Sequence, residues 1–305
     1  MLRPPESRGY LIDRLTQRWV QVTGRKINLS RERWLDGPAG NPHCIGNDFF
    51  ADYAAERGFD VIQEEGLGLL PDFGQLELPM PVAAPVRDFY ERTSDYELDV
   101  WSEWCGAFRP FGAALAFLFS RRLQQLNVPL SALDPSRGMT NTVLQLHDRC
   151  SHRVLETAWI RELHATRNVL YAGAYSVCQA PGFTGVCLKV VFPLPNGNGI
   201  VMMKPEARPD GSFVVTSAGR IFGDPGFYFV VHGDGSEAWA RYVPSLKEAI
   251  HVYPGGKEVV RADHVFHFFG FRFLRLHYRM RRTRALQRTE AAPTEELGPA
   301  EAPAS

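Results

Sequence analysis

Residues 186–231, VCLKVVFPLPNGNGIVMMKPEARPDGSFVVTSAGRIFGDPGFYFVV, decide the fold class. Their apolar runs are interrupted at regular intervals by Pro, Asn, Asp and Gly. These residues favour turns, because Gly and Asn tolerate a positive φ and Pro restricts φ to a turn value. Short β-forming runs joined in this way are typical of an antiparallel meander. We therefore expect the rest of the chain to be organised around an antiparallel sheet.

The same alternation of β-forming runs and turns continues on both sides of this segment. So many sequential strands predict an antiparallel sheet that curls strongly or closes into a barrel. The predicted strands are 154–163, 169–178, 185–192, 200–204, 213–217, 227–231, 238–242 and 249–253, with a last pair within 258–280.

The run HVFHFFGFRFLRLHYRMRR, residues 264–282, fits two secondary structures. As a strand, its second half alternates apolar with charged side chains. As a helix, it carries apolar side chains at heptad spacing. We favour the strand, although periodicity alone does not decide such a run.

The first 135 residues are predicted to be predominantly helix and loop. Apolar side chains at positions 11, 15, 19 and 22 predict an amphipathic helix that ends near Gly24. A second helix should begin with Asn47 as its cap and stop at Gly58. Ser102 is expected to cap a further helix that is kinked at Pro110.

Two stretches between these helices are less regular. Residues 59–85 are rich in Gly and Pro and predict loops with short extended pieces. Residues 86–101 fit either a helix or a strand.

These elements define an α+β protein. We expect a helical and loop-rich region at 1–140, a strongly curved antiparallel sheet or closed β-barrel at 141–284, and a disordered tail at 285–305, which is rich in Ala, Pro and Glu. Over about residues 150–282 this plan is similar to the ligand-binding barrels of the lipocalin type and the START type. The likeness is architectural, without a shared motif, and a fold does not fix a function.

Composition excludes several classes of protein. Lys plus Arg and Asp plus Glu both number 34, and a formal net charge of zero argues against a chain adapted as a whole to nucleic acid. The five cysteines form no CxxC pair and have no histidine at zinc-finger spacing, so we predict neither a metal nor a cofactor. The N-terminus lacks the apolar core of a secretory signal, and no apolar run reaches the roughly 20 residues of a bilayer span. We expect a soluble cytoplasmic protein.

The architecture favours ligand binding. A closed sheet of about eight strands encloses room for its own side chains or for one small ligand. Our leading hypothesis is a protein that binds a hydrophobic small molecule or lipid in the barrel. The alternative is an isomerase, cyclase or hydrolase that acts on such a ligand, which a cavity above roughly 300 Å³ with two or more ionisable side chains would favour.

Three residues are candidates for catalysis. Lys189 lies within the apolar run VCLKVVF, and in a dry cavity it could act as a base or form a Schiff base, although an outward position over the sheet is the more common one. Asp224 could polarise a ligand at the barrel mouth or only form the Asp-Pro-Gly turn. His251 could perform acid–base chemistry near neutral pH. The predicted ligand contacts are Tyr228, Tyr253 and Arg220.

Two further groups of residues suggest other chemistry. Cys44 precedes the second helix together with His43, Asn47 and Asp48, where a thiol could be activated by the helix dipole, although capping explains the polar residues equally well. Arginines concentrate near the end of the chain and could contact an anionic membrane surface or nucleic acid, which would make this a peripheral membrane or scaffolding protein. They could also form only the solvated face of the last strand. They include Arg272, Arg275, Arg279, Arg281 and Arg282.

Overall fold

The structure, a computed structural model, describes residues 11–40, 48–106, 139–163, 169–256 and 258–283. Its α-helices in these ranges are α1 (Leu11–Thr23), α2 (Asp48–Arg57) and α3 (Ala84–Glu91). The strands are β1 (Arg25–Asn28), β2 (Phe59–Ile62), β3 (Tyr96–Trp104), β4 (Met139–Asp148), β5 (Val154–Leu163), β6 (Val169–Cys178), β7 (Cys187–Leu194), β8 (Gly197–Ala207), β9 (Phe213–Thr216), β10 (Phe227–His232), β11 (Glu237–Tyr242), β12 (Leu246–Pro254), β13 (Val259–Phe268) and β14 (Phe271–Arg282).

All fourteen of these strands belong to one antiparallel sheet. The hydrogen-bonded order is β2-β4-β5-β6-β7-β8-β9-β12-β13-β14-β3, and β8 also begins a branch to β10, β11 and β1. The first half of β8 pairs with β10 and its last residues pair with β9. The strand β8 is therefore shared by two parts of the sheet, and the sheet bends strongly along it.

The two sides of the curved sheet meet without closing. Within the described residues no ladder joins β3 to β4. Instead, the side-chain amide of Asn141 on β4 donates to the carbonyl oxygens of Thr93 and Tyr96, at 2.8 and 2.7 Å. The carbonyl oxygen of the same amide accepts from the Trp159 indole. These contacts bring the start of β3 against β4.

The sheet is packed on both faces. On the concave face, aromatic and aliphatic side chains of β5–β8 and β12–β14 form one core together with α3. On the convex face, a second core forms under β1, residues 33–40 and α2. Seven of the eight residues of β7 are buried, because this strand lies between the two cores.

The predicted strands agree with the sheet. Each segment from 154–163 to 249–253 lies on a strand of the structure. Residues 264–282 form the end of β13 and β14, so the strand interpretation is confirmed and the helical one is wrong. The predicted antiparallel sheet is therefore confirmed, and α1 and α2 lie where the sequence predicts them. The sheet is curved, but the predicted alternative of a closed barrel is not what the described strands form.

The N-terminal part contains more strand than the sequence predicted. Here β1, β2 and β3 pair with β11, β4 and β14. Residues 86–101 divide into the end of α3 and the beginning of β3, so each alternative holds for one half. The predicted helix cap at Ser102 is wrong, because Ser102 lies within β3 opposite Leu276. The kink at Pro110 and the tail 285–305 lie outside the described residues.

Candidate ligand cavity

The concave face of the sheet encloses a cavity of about 160 Å³. Its walls come from β3, β5–β8, β10 and β12–β14. Phe89 and Tyr90 of α3 and the loop residue Leu69 complete the lining. Most of the lining is apolar, since period-two alternation directs the aliphatic residues of these strands to one face. The described polar residues of the lining are Arg161, Tyr171, Tyr175, Glu248, His264 and Tyr278, with Trp159 beside them.

Arg161 is the buried cation of this cavity. Its residue is 7% exposed, and its guanidinium lies 4.6 Å from the ring centroid of Trp159 and 4.4 Å from that of Tyr171. It is also hydrogen-bonded to the Tyr278 hydroxyl. The Arg161 Nε–H has no hydrogen-bond partner, and none of the ion pairs among the described residues includes Arg161. Aromatic faces therefore stabilise a charge for which the described residues provide no carboxylate partner.

Two tyrosines lie beside this arginine. The hydroxyls of Tyr171 and Tyr175 are 2.5 Å apart, on side chains four residues apart along β6. Burial raises the pKa of both phenols, and the Arg161 charge opposes this effect. Both phenols therefore remain protonated at neutral pH and offer O–H groups for hydrogen bonding.

An acid–base pair completes the polar lining. His264 Nε2 lies 2.8 Å from Glu248 Oε2, and both side chains are largely buried. The two residues are diagonal neighbours in the β12–β13 ladder, because His264 lies opposite Ile250. The His264 ring also contacts Phe266, with 3.9 Å between centroids. The carboxylate among the described lining residues is thus already bound to an imidazole.

Lys189 is absent from this lining. It lies on the convex face, where it is 6% exposed and donates from Nζ to the carbonyl oxygen of Asp36, at 2.9 Å. The convex position is the outward one that the sequence favoured, but residues 33–40 cover the side chain. The Schiff-base hypothesis required a lysine in the cavity, and this geometry does not provide it.

The predicted residues around the Asp-Pro-Gly turn also lie elsewhere. Asp224 Oδ2 accepts from the backbone N–H groups of Arg220 and Ile221, at 2.8 and 3.1 Å. The Tyr228 hydroxyl donates to the Asp224 carbonyl oxygen and accepts from Gly223 N–H. Tyr228 belongs to the convex core, and Arg220 is exposed. These contacts describe a fixed turn on the convex side.

His251 and Tyr253 alternate along β12 with the lining residues Ile250 and Val252, so they lie on the other face of the strand. His251 Nε2 is 2.8 Å from Ser212 Oγ, and its ring lies 5.0 Å from that of Tyr253. The Tyr253 hydroxyl donates to Asp263 Oδ2, and Asp263 Oδ1 lies 2.6 Å from His277 Nδ1. The structure therefore brings together none of the six predicted site residues at the cavity.

Most arginines of the terminal cluster have acidic partners. Arg275 pairs with Glu103, Arg281 with Asp99, and Arg282 with both Asp88 and Asp95, at 3.3 to 3.6 Å. Except for Asp88, these acids lie on β3 or just before it. Of the loop group, His43, Cys44 and Asn47 lie outside the described residues. Within the described part of the chain, no group of three or more His, Cys, Asp or Glu side chains could hold a metal ion.

The sequence carries one signal for Arg161. In the predicted strand 154–163 the run TAWIREL places Trp159 and Arg161 two residues apart, hence on one face. A charged residue on the face that also carries a large aromatic is a candidate for a buried cation. His264 and Glu248 are 16 residues apart in sequence, so only the pairing of β12 with β13 brings them together.

A curved antiparallel sheet around a small, partly polar cavity is the class that the fold and site define. No family model and no solved structure matches the chain. The chain is similar to the uncharacterized membrane protein YndJ of Bacillus subtilis (strain 168), with 28% identity over 240 residues. The match covers 77% of this chain and 41% of that protein, so the chain spans less than half of the relative's length. Among the described residues, none of the helices combines the length and the apolar character needed to cross a membrane.

Proposed function

We propose that this chain binds a small hydrophobic molecule with an acidic group in the cavity on the concave face of the curved sheet. The observation that carries the proposal is Arg161, a buried guanidinium that lacks an anionic partner among the described residues. Buried charges in proteins are normally paired, because an isolated charge in a medium of low polarity is costly. A carboxylate or similar group on the ligand would supply the missing partner.

The size of the cavity limits the ligand. A volume of about 160 Å³ is close to that of an engineered apolar cavity of roughly 150 Å³ that binds benzene. The proposed ligand is therefore about the size of one ring or a short branched chain. A long acyl chain would need a larger cavity, so the small-molecule half of the original hypothesis is favoured over the lipid half.

The polar groups of the cavity fit an acidic head group. A planar guanidinium can bind a carboxylate with two parallel hydrogen bonds. The paired hydroxyls of Tyr171 and Tyr175 lie beside the same guanidinium, because Tyr171 contacts it directly. An acid bound at Arg161 would accept from the one hydroxyl of this pair that does not donate to the other, while the apolar part of the ligand contacts the aliphatic walls.

Calorimetric titration with benzoate and with benzyl alcohol tests this proposal, because the two probes share a ring and differ in charge. Arg161→Met should weaken benzoate binding by about tenfold or more, while benzyl alcohol binds within about twofold of its original affinity. Arg161→Lys should retain part of the benzoate affinity, since it keeps the charge but not the two-pronged geometry. Equal benzoate affinity in the original chain and in Arg161→Met would contradict the proposal.

We infer a second candidate function from His264 and Glu248. An imidazole held by a carboxylate in a cavity wall is suited to move a proton to or from a bound molecule. This pair supports the isomerase, cyclase or hydrolase alternative, although the volume of about 160 Å³ is below the roughly 300 Å³ at which we expected an enzyme to be favoured.

Native mass spectrometry of the original chain and of His264→Gln, each purified from the host organism, separates the two functions. A binding protein should carry the same compound in both preparations. An enzyme should retain a different compound, its unconverted substrate, when the imidazole is lost. Identical compounds in both preparations would remove the enzyme alternative.

A further inference from the structure

Helix α1 has its polarity inverted relative to an ordinary surface helix. Its buried side carries Asp13 and Gln17 together with Val20. Its outward side carries apolar residues: Leu11, Leu15 and Val22 are 79%, 70% and 67% exposed, and Trp19 is 42% exposed. An amphipathic helix on a soluble protein normally buries its apolar stripe, so the outward stripe of α1 requires an explanation.

Polar contacts fix this orientation. Gln17 Nε2 donates to the carbonyl oxygen of Pro195 at 3.0 Å, in a buried position. Arg241 Nη1 donates to the carbonyl oxygen of Thr23 at 2.7 Å, at the last turn of the helix. The inner edge of Trp19 contacts the ring of Phe229, with 6.1 Å between centroids. Rolling the helix to bury its leucines would break these bonds and expose Val20.

Positive charge borders the apolar stripe. At about 100° per residue, Leu11, Val22, Leu15 and Trp19 occupy an arc of about 80°. Arg14 and Arg18 lie within about 60° of one border of this arc, and both are exposed. The acidic residue of α1, Asp13, lies on the opposite, buried side. The outward surface is therefore apolar and cationic, with no carboxylate from the helix itself.

We propose that the outward face of α1 docks on the surface of an anionic lipid bilayer. The helix lies in the plane of the interface, with the aliphatic side chains in the acyl boundary and Arg14 and Arg18 extended toward lipid phosphates. Trp19, at the border of the stripe, takes the position that indole favours at a membrane–water interface. This surface is distinct from the ligand cavity, and the inference does not depend on the proposed ligand.

Charge complementarity favours α1 over the terminal arginines as this surface. Arg275, Arg281 and Arg282 already pair with acids of the chain. In contrast, the described residues provide no ion pair for Arg14 or Arg18. The face is also convex and narrow, which suits a fluid bilayer better than a rigid protein groove. One helix of this length gives weak, reversible binding, which anionic lipid strengthens.

Vesicle co-sedimentation of the full chain tests the proposal. The protein should sediment with phosphatidylcholine vesicles that contain about one-third phosphatidylserine, and much less with pure phosphatidylcholine. Leu11→Ser with Leu15→Ser and Val22→Ser should lower the bound fraction by about tenfold or more, because all three side chains are exposed and drive insertion. Arg14→Gln with Arg18→Gln should retain residual binding but lose the preference for anionic lipid.

A matched control removes a similar apolar surface elsewhere. Phe269 and Phe271, at the tip of the β13–β14 hairpin, are 71% and 68% exposed. Phe269→Ser with Phe271→Ser should keep at least half of the vesicle binding, and circular dichroism should show that each variant is folded. Undiminished binding of the triple α1 variant would overturn the proposal. So would a dimer of the free protein that the triple variant abolishes, because the stripe would then serve a second copy of the chain.

Discussion

Two buried cations lie on opposite faces of the same sheet, Arg161 on the concave face of β5 and Lys189 on the convex face of β7. Their exposure is nearly the same, at 7% and 6%. Lys189 donates to the Asp36 carbonyl oxygen and attracts the Glu156 carboxylate across β6. Arg161 has aromatic rings around it and no carboxylate partner among the described residues.

The difference separates a structural cation from a candidate ligand contact. Around Lys189, the Tyr53 hydroxyl is hydrogen-bonded to Glu156, and Arg57 Nη2 lies 3.3 Å from Asp36 Oδ1. Residues of α2 and of the loop 33–40 thus bind the convex face through compensating charges. On the concave face, aromatic rings stabilise the Arg161 charge, and no carboxylate of the described residues pairs with it. A lysine surrounded by apolar sequence was therefore a weaker functional signal than an arginine beside a tryptophan.

Loss of the convex cation should have the largest effect on stability. Lys189→Met should lower the free energy of unfolding by about 3 kcal/mol, because it removes the positive charge that attracts the buried Glu156 carboxylate and leaves the Asp36 carbonyl oxygen without its donor. Urea denaturation measures this change. Adding Glu156→Gln should restore about 1 kcal/mol or more, since the uncompensated charge is then removed. A loss below about 1 kcal/mol in the single variant would end the distinction drawn between the two faces.

Glu156 should make stability depend on pH. Burial raises the pKa of this carboxyl above 4.5, and Lys189 opposes the effect. A raised pKa means that the folded state binds the proton more tightly than the unfolded state, so stability falls as the pH rises from about 4.5 through the folded-state pKa. Glu156→Gln should remove this fall, with a difference of about 1.4 kcal/mol per pKa unit. Thermal unfolding of both proteins between acidic and neutral pH measures it, and parallel curves would contradict the assignment.

The sequence predicted most of the sheet, because the strands from β5 onward combine β-forming runs with turn residues that act locally. Phe269 and Gly270 both adopt positive φ in the β13–β14 turn. This conformation is expected for glycine but uncommon for phenylalanine, so residue type alone does not predict this turn. The first part of β3 was left open between helix and strand, although Tyr96, Leu98 and Val100 are buried and alternate with exposed residues. This segment follows a helix and is rich in aromatic residues, so both the helical and the strand periodicity fit its sequence.

The site was much less predictable than the fold. Which face of a strand becomes concave depends on how the whole sheet curves, and local alternation carries no information about it. Lys189 was predicted from its apolar neighbours, Asp224 from its turn and His251 from the acid–base chemistry of imidazole, whereas Arg161 and His264 are placed by strand pairing and curvature. The orientation of α1 shows the same limit, since its pattern predicted the helix correctly but not which side faces the sheet.

Arg161 should contribute little to stability despite its burial. Arg161→Met should change the free energy of unfolding by less than about 1 kcal/mol, because the cost of burying the charge offsets its contacts with the rings of Trp159 and Tyr171. This contrasts with the loss expected at Lys189. Urea denaturation in parallel with Lys189→Met provides the comparison. Equal losses in both variants would mean that the concave cation is also structural.

The exposed ion pairs of β14 should give the smallest effect and calibrate the other changes. Arg281 Nη2 lies 3.4 Å from Asp99 Oδ2, in a pair that remains open to water. Arg281→Gln should therefore alter the free energy of unfolding by no more than about 0.5 kcal/mol, and less at high salt, since solvent screens such charges. A loss approaching that of Lys189→Met, measured in the same urea series, would show that the β3–β14 edge depends on its charges. The difference between Arg161 and Lys189 could then no longer be attributed to the face of the sheet on which each cation lies.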